Sequence, residues 1–446
     1  MSLELVAVLA VLVCVAFGAV LFQRGLFVLL LLLPASEMLG FVDPMTLAVK
    51  GAFDIHALLA ILILAATLFS VSRWQELPST LFLKPMLVFV SLWLYGVLYP
   101  VIQDYSTLYY ALKGSKEFLT IFVYFAVFLT VRTENELQWG WRILIGFGLY
   151  YSLLELLAQV FGPGLMSSLV YDFRKEELAF LWKIYPPFWT VILIALLHSY
   201  YEYALSGKRV FVRIGLGSIG LLLTFFRSYL LAAVGTIPLL LLLSRQGVRR
   251  AVGQGMALAG IIVIAIGGVW IATANQGGDM DALTDHFVSS GIAEFDSQTG
   301  GAIVGRETFS KGRRQLLEQS PYFGFGFIDR DSQFGRQVPR YVLGGTLGFI
   351  DKGDVDTALK FGYAGRLLLY GTVLYMAYIL VRLARKCPSP MLCVRALTLA
   401  SLLIIFLIVQ PVHAALTYSF SLLPLGIGLG LLEREWALHS QRVQRP

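Results

Sequence analysis

The residues best suited to chemistry gather in one stretch of this chain. Arg306 opens the segment GRETFSKGRRQLLEQS, and Arg313 and Arg314 follow about two turns later, so the spacing predicts a helix with Arg306, Ser310 and Arg313 on one face. Guanidinium groups bind phosphate or diphosphate oxygens bidentately and keep their charge at any working pH. The same spacing also suits an amphipathic helix lying on anionic headgroups, and Arg336 and Arg340 in FGRQVPRY add to either reading. Asp351, Asp354 and Asp356 follow in DKGDVDTALKFGYAG, just ahead of a long apolar run. An acid held there beside arginines is a candidate general base if burial raises its proton affinity, with Asp354 and Asp356 the first choices. The alternative is a solvated loop carboxylate. The acidic spacing forms no calcium-loop pattern.

Three further positions stand out. Arg227, in LLLTFFRSYLLAAVGTIPLLLLL, sits between two apolar runs with no room for a loop, and charge at such a place is costly and usually functional. Its bland alternative is snorkelling towards water. His413, in VQPVHAALTYS, follows Pro411 at a run end and could line a pocket or be a satisfied structural histidine. The five histidines form no metal-ligand pair of the H-x-x-x-H kind, so no metal is expected. Glu155 and Glu202 fall within apolar runs near their ends and offer a weaker proton-path reading. No phosphate-cradling P-loop, G-x-S-x-G elbow or dinucleotide glycine pattern occurs, and Gly324 and Gly326 form only a short G-x-G, so no cofactor is expected.

The elements that must position these groups follow from composition. The chain has 446 residues, 57% of them hydrophobic and only 14% charged. Mean hydropathy is +0.74. Soluble domains carry about 25% charged residues, so an ordinary soluble enzyme is excluded. Runs such as VILIALL, LLAAVGTIPLLLLL and LTLASLLIIFLIV are continuous rather than alternating, which predicts membrane helices and not a barrel. Spans are expected near 3–22, 25–40, 54–72, 86–103, 117–131, 142–160, 187–205, 210–225, 227–244, 252–273, 365–384, 395–413 and 416–432, about twelve or thirteen in all.

Short loops on one side carry eighteen Lys and Arg residues against six on the other, which makes the first side cytoplasmic and places the C-terminus inside. The net charge of +7 then needs no nucleic-acid partner, because topology and attraction to anionic membrane lipids account for it. Three cysteines rule out a disulfide scaffold. The expected organisation is an N-terminal helical region over 1–273, a large, partly helical outer cap over 274–364, and C-terminal helices with a cytoplasmic tail over 365–446.

Three pieces occur in order: TFFRSYLLA at a span start, GRETFSKGRRQLLEQSPYFGFGF in the long loop, and VDTALKFGYAG leading into the next span. Together they resemble the O-antigen polymerase and O-antigen ligase family of bacterial surface polysaccharide synthesis. The resemblance implies a GT-C-type glycosyltransferase in the bacterial cytoplasmic (inner) membrane, with its large loop in the periplasm. It implies undecaprenyl-pyrophosphate-linked oligosaccharide as donor and acceptor, with Arg227 and Arg306 on the donor pyrophosphate; the arginine pattern itself adds Arg313, Arg314 and Arg340 as candidates for the same group.

It also implies that Asp354 or Asp356 stands where ligases place a histidine. This chain has no histidine between His286 and His413, which favours a polymerase of O-antigen or exopolysaccharide repeat units over a ligase acting on lipid A core. A polysaccharide-lipid flippase is the remaining class. It would place charge deep in several spans, whereas twelve acids and nine bases lie across 274–364. A chain-length regulator is a candidate partner.

Overall fold

The computed structural model describes residues 71–161, 189–224, 227–244, 311–338, 353–387 and 389–443, with Ile63, Thr67 and Gly260. The expected spans near 3–22, 25–40 and 252–273 lie outside the described residues, apart from Gly260, and so do Arg306, Arg340 and most of the span near 54–72. Described elements are helical, with no strand among them: α1 (Leu83–Ile102), α2 (Leu108–Ser115), a 3-10 turn (Phe118–Phe122), α3 (Val123–Thr130), α4 (Glu134–Phe161), α5 (Thr190–Ser206), α6 (Phe211–Leu223) and α7 (Arg227–Leu243). A short helix α8 over 311–317 follows. After it come α9 (Gln333–Gln337), α10 (Gly353–Lys386), α11 (Pro390–Val409) and α12 (Ser419–Val443).

Four of these, α1, α4, α10 and α11, are long and apolar enough to cross a membrane, and α6 and α7 are shorter apolar helices. The chain is thus an α-helical membrane protein. Lipid offers no hydrogen bonds, so each spanning backbone must satisfy itself as a helix. Both α5 and α11 are buried along most of their length. Ile192 to Ala195 in α5 and Ala396 to Ala400 in α11 are buried without a break. The two pack on each other, α11 also packs on α7 and α10, and α4, α5 and α6 form a mutual cluster. Gly148 lets α4 come so close to α5 that a Cβ there would stand 2.2 Å from the Val191 carbonyl oxygen.

The apolar run expected as one span over 117–131 is not one regular helix. It starts as a 3-10 turn and continues as α3, and both pack on α12. Glu433 of α12 accepts from the backbone N–H groups of Leu81 (2.9 Å) and Phe82 (3.1 Å), so it takes up two donors that the start of α1 leaves over. Arg434 pairs with Glu76, which also binds Arg73. One end of α12 is thereby tied to α1. The residues just ahead of its other end, Thr417 and Tyr418, reach the site described next.

The helix expected from 365 begins earlier, at Gly353, and breaks at Gly362, whose backbone (φ 68, ψ 178) lies in a region open essentially to glycine alone. The Tyr363 N–H would bond the Leu359 carbonyl in an unbroken helix. It goes instead to Pro321 (2.8 Å). Segment 321–328 uses the freed carbonyls: Phe325 N–H donates to Leu359 (2.7 Å), Gly326 N–H to Lys360 (2.9 Å), and Phe327 N–H to Gly96 of α1 (2.7 Å). The G-x-G of this segment is therefore a backbone strap. Gly324 and Gly326 both have positive φ, and a Cβ on Gly326 would stand 2.4 Å from the Pro100 ring.

Candidate functional site

The strap, the broken helix, the turn ahead of α12 and the α2 end meet around a cavity of about 160 Å³. From the first part of α10 come Asp356, Leu359 and Lys360; from the turn, Thr417 and Tyr418; from α8, Arg313 and Leu316; from the strap, Phe325, Gly326 and Ile328; from α2, Gly114; and from the turn after it, Glu117. An apolar cavity of about 150 Å³ takes up one benzene ring, so this one has room for a phosphoryl group or a sugar ring.

Asp356 and Lys360 stand one helical turn apart, and the ammonium donates to Asp356 Oδ2 at 2.8 Å. Thr417 Oγ1 donates to the same oxygen at 2.8 Å. Lys360 Nζ also lies 4.7 Å from the centre of the Tyr418 ring, within cation–π range. Gln410 holds this geometry from behind. Its amide donates to Thr357 Oγ1 (3.0 Å) and its carbonyl accepts from Leu416 N–H (3.1 Å), which pins the 410–418 turn against α10. Arg313 is only 4% exposed, and Asp356 is 3% exposed. Glu117 is half-buried, and its side chain takes no hydrogen bond or ion pair among the described residues. Tyr418 feels the charges of Asp356, Glu117 and Arg313 together, so these groups converge.

Beside the cavity a polar latch holds the strap. Lys113 Nζ binds Asp329 (3.1 Å) and Asp331 (2.8 Å). Burial draws the Lys113 ammonium down, but its bonds to Asp331 and Asp329 outweigh this, and it titrates above the ordinary lysine value. The hydrogen bond from Lys113 holds the Asp331 carboxyl below the ordinary range. Lys116 is pushed down by burial, with Glu117 and Asp329 opposing the shift.

The expected site residues divide. Arg313 and Asp356 meet in the cavity. Arg314 is exposed and does not line it, and Asp354 points elsewhere, with Arg366 3.9 Å from its carboxylate. His413 sits with its ring centre 5.5 Å from that of Tyr229, which in turn packs on Trp189, and it does not line the cavity. Arg227 begins α7. Arg306 and Arg340 lie outside the described residues.

Sequence reading did not single out Lys360, Thr417, Tyr418 or Glu117. Of these, only Lys360 had a local signal, its spacing of four from Asp356. Glu155 is fully buried in α4 with no hydrogen-bond partner among the described residues, while Glu202 binds Lys208 and Arg213. Among the described residues no three His, Cys, Asp or Glu side chains gather as a metal site would require.

Two cations and two carboxylates in one small, partly closed cavity can hold an anionic leaving group and deprotonate a hydroxyl in the same place. Compared with known proteins, the chain matches no family model, and no curated protein matches it.

Proposed function

We propose that the protein polymerises oligosaccharide repeat units carried on undecaprenyl pyrophosphate at the periplasmic face of a bacterial inner membrane. It does so as a metal-independent GT-C-type glycosyltransferase. The observation that carries this reading is the meeting of Arg313, from the arginine-rich loop helix, with Asp356 and Lys360, from the acidic stretch before the next span, in one cavity. These two stretches are the ones whose resemblance to O-antigen polymerases pointed to lipid-diphosphate chemistry.

In this reaction a hydroxyl of one repeat unit attacks the anomeric carbon of another. The C–O bond to the diphosphate breaks, and charge develops on the leaving oxygens. Arg313 and Lys360 stabilise that charge. A fixed donor aimed at such an oxygen contributes about 3 kcal/mol to lowering the barrier. The diphosphate leaves without a protonating acid, and the energy for transfer resides in the donor bond, so no nucleotide is consumed. Burial of Arg313 strengthens its field by removing competing water.

The test is direct. Purified protein in liposomes is given undecaprenyl-pyrophosphate-linked oligosaccharide alone. The reading expects longer lipid-linked glycan together with free undecaprenyl pyrophosphate. Intact donor after prolonged incubation would remove it. Polymer appearing only when lipid A core is added would shift the assignment to a ligase.

A further inference from the structure

We propose that Glu117 is the general base of this transfer and that Asp356 is a positioning residue for Lys360. The inference rests on the transferase reading above and assigns roles within its cavity. Four charged side chains line the cavity, Arg313, Lys360, Asp356 and Glu117, and their surroundings differ. Asp356 is 3% exposed, and one of its oxygens already accepts from both the Lys360 ammonium and the Thr417 hydroxyl. An oxygen already filled by two donors is not placed to receive the hydrogen of a substrate hydroxyl. Glu117 lines the same cavity, keeps partial exposure, and carries no donor among the described residues. Two carboxylates in one site given different environments take different tasks.

Lys360 is held between Asp356 and the Tyr418 ring, 4.7 Å from the ring centre, which fixes the direction of its ammonium. With Arg313 it forms the anion-binding side. A carboxylate with no donor among the described residues would repel a diphosphate, so the proposal gives Glu117 the neutral acceptor. Glu117 stands at the turn from α2 into the 3-10 segment, where its backbone carbonyl accepts from both the Thr120 N–H (3.2 Å) and the Thr120 hydroxyl (2.7 Å). Its Cα is therefore fixed while the carboxylate stays available. In the step, the acceptor oxygen bonds to the anomeric carbon as its proton passes to the Glu117 carboxylate. The anomeric C–O bond breaks, and its electron pair leaves with the diphosphate.

The experiment compares a hydroxyl acceptor with azide, an anionic nucleophile that carries no proton to remove. Wild-type protein, Glu117→Gln, Glu117→Ala and Asp356→Asn are each given lipid-diphosphate-linked oligosaccharide. Release of the lipid diphosphate is followed with and without azide, and glycosyl azide is identified by mass spectrometry. Losing a general base costs about 10²–10⁴-fold. Glu117→Gln and Glu117→Ala are expected to lose that factor in transfer to hydroxyl and to recover release, with glycosyl azide as product, when azide is added. Asp356→Asn is expected to be slow with both nucleophiles, because Lys360 is no longer aimed.

Transfer to hydroxyl by Glu117→Gln within tenfold of wild type overturns the assignment. So does loss of both reactions in both Glu117 variants, and so does azide recovery in Asp356→Asn alone. Wild-type protein that releases no lipid diphosphate from the donor removes the transferase reading itself, and this inference falls with it.

Discussion

Replacing Gly362 with alanine should open the strap over the cavity without unfolding the helices beneath it. Gly362 has φ 68 and ψ 178, and a Cβ there would stand 2.0 Å from the Tyr322 carbonyl oxygen and 2.5 Å from the Phe323 nitrogen. Both neighbours are backbone, so no side chain can swing aside. The conformation itself costs a non-glycine residue about 1–3 kcal/mol. Relief requires segment 321–328 to retreat, which loosens the bonds Phe325–Leu359, Gly326–Lys360 and Tyr363–Pro321, at about 1 kcal/mol each.

Even partial loss comes to about 3 kcal/mol, or roughly a hundredfold in the opening equilibrium. Hydrogen–deuterium exchange read by mass spectrometry should show the amides of Phe325, Gly326 and Tyr363 exchanging about a hundredfold faster. Those of α11 should be unchanged, and transfer should fall as Phe325 and Gly326 leave the cavity wall. Gly371→Ala, in the same helix with nothing within 4 Å of the added Cβ, is the control and should be neutral or gain up to about 1 kcal/mol. Unaltered exchange in the strap of Gly362→Ala would show that the broken helix does not hold it.

Arg313→Ala should slow glycan transfer about 10²–10³-fold with the protein still inserted and folded, and Arg227→Ala and Arg306→Ala should likewise abolish chain extension; wild-type polymer length in all three would dispose of the arginine clamp. Asp356→Asn should lower thermal stability, because removing one partner of a mostly buried pair costs about 3 kcal/mol, while Asp356→Asn with Lys360→Met should regain stability but not transfer. The latch at Lys113 should depend on pH at both ends. Asp331 is held low, so its contribution is present above its unfolded value of 3.8 and is lost as pH falls through the depressed folded value. Lys113 is raised, so its contribution is full below 10.5 and is lost as pH rises beyond. Both groups are substantially exposed, so the pair contributes no more than about 1 kcal/mol, and exchange in 329–335 should quicken modestly at either extreme and at high salt.

The spanning helices were legible because lipid forces continuous apolar runs. The runs near 86–103 and 395–413 correspond to α1 and α11, displaced at their ends by a few residues. Lipid does not dictate what happens between spans. The helix α2, with sequence LYYALKGS, has too few apolar repeats to announce itself. The start of α10 lies in a stretch as polar as a loop, and its charges find partners along the helix itself, Lys360 on Asp356 and Arg366 beside Asp354.

Arg313 and Asp356 were readable as chemistry because arginines and acids at the edge of an apolar run are costly. Their neighbours were not, since Glu117 and Thr417 come from places far apart in sequence and become one site only when the 3-10 turn after Glu117 packs on α12. Gly362 falls in the stretch expected as outer loop, and its role as a helix break shows only once its partner, the strap, is in place. His413 drew notice for its type, but its place beside Tyr229 follows from how the start of α7 packs, which no local spacing encodes.

The central claim is that a lipid-borne diphosphate sits in the cavity between α8 and the first part of α10. The measurement that tests it most directly is a structure of the protein in lipid with undecaprenyl pyrophosphate bound. The account predicts phosphate oxygens within hydrogen-bond distance of the Arg313 guanidinium and the Lys360 ammonium, with Asp356 still on the far side of that lysine. Diphosphate density on a separate surface, with this cavity filled only by water, would contradict it.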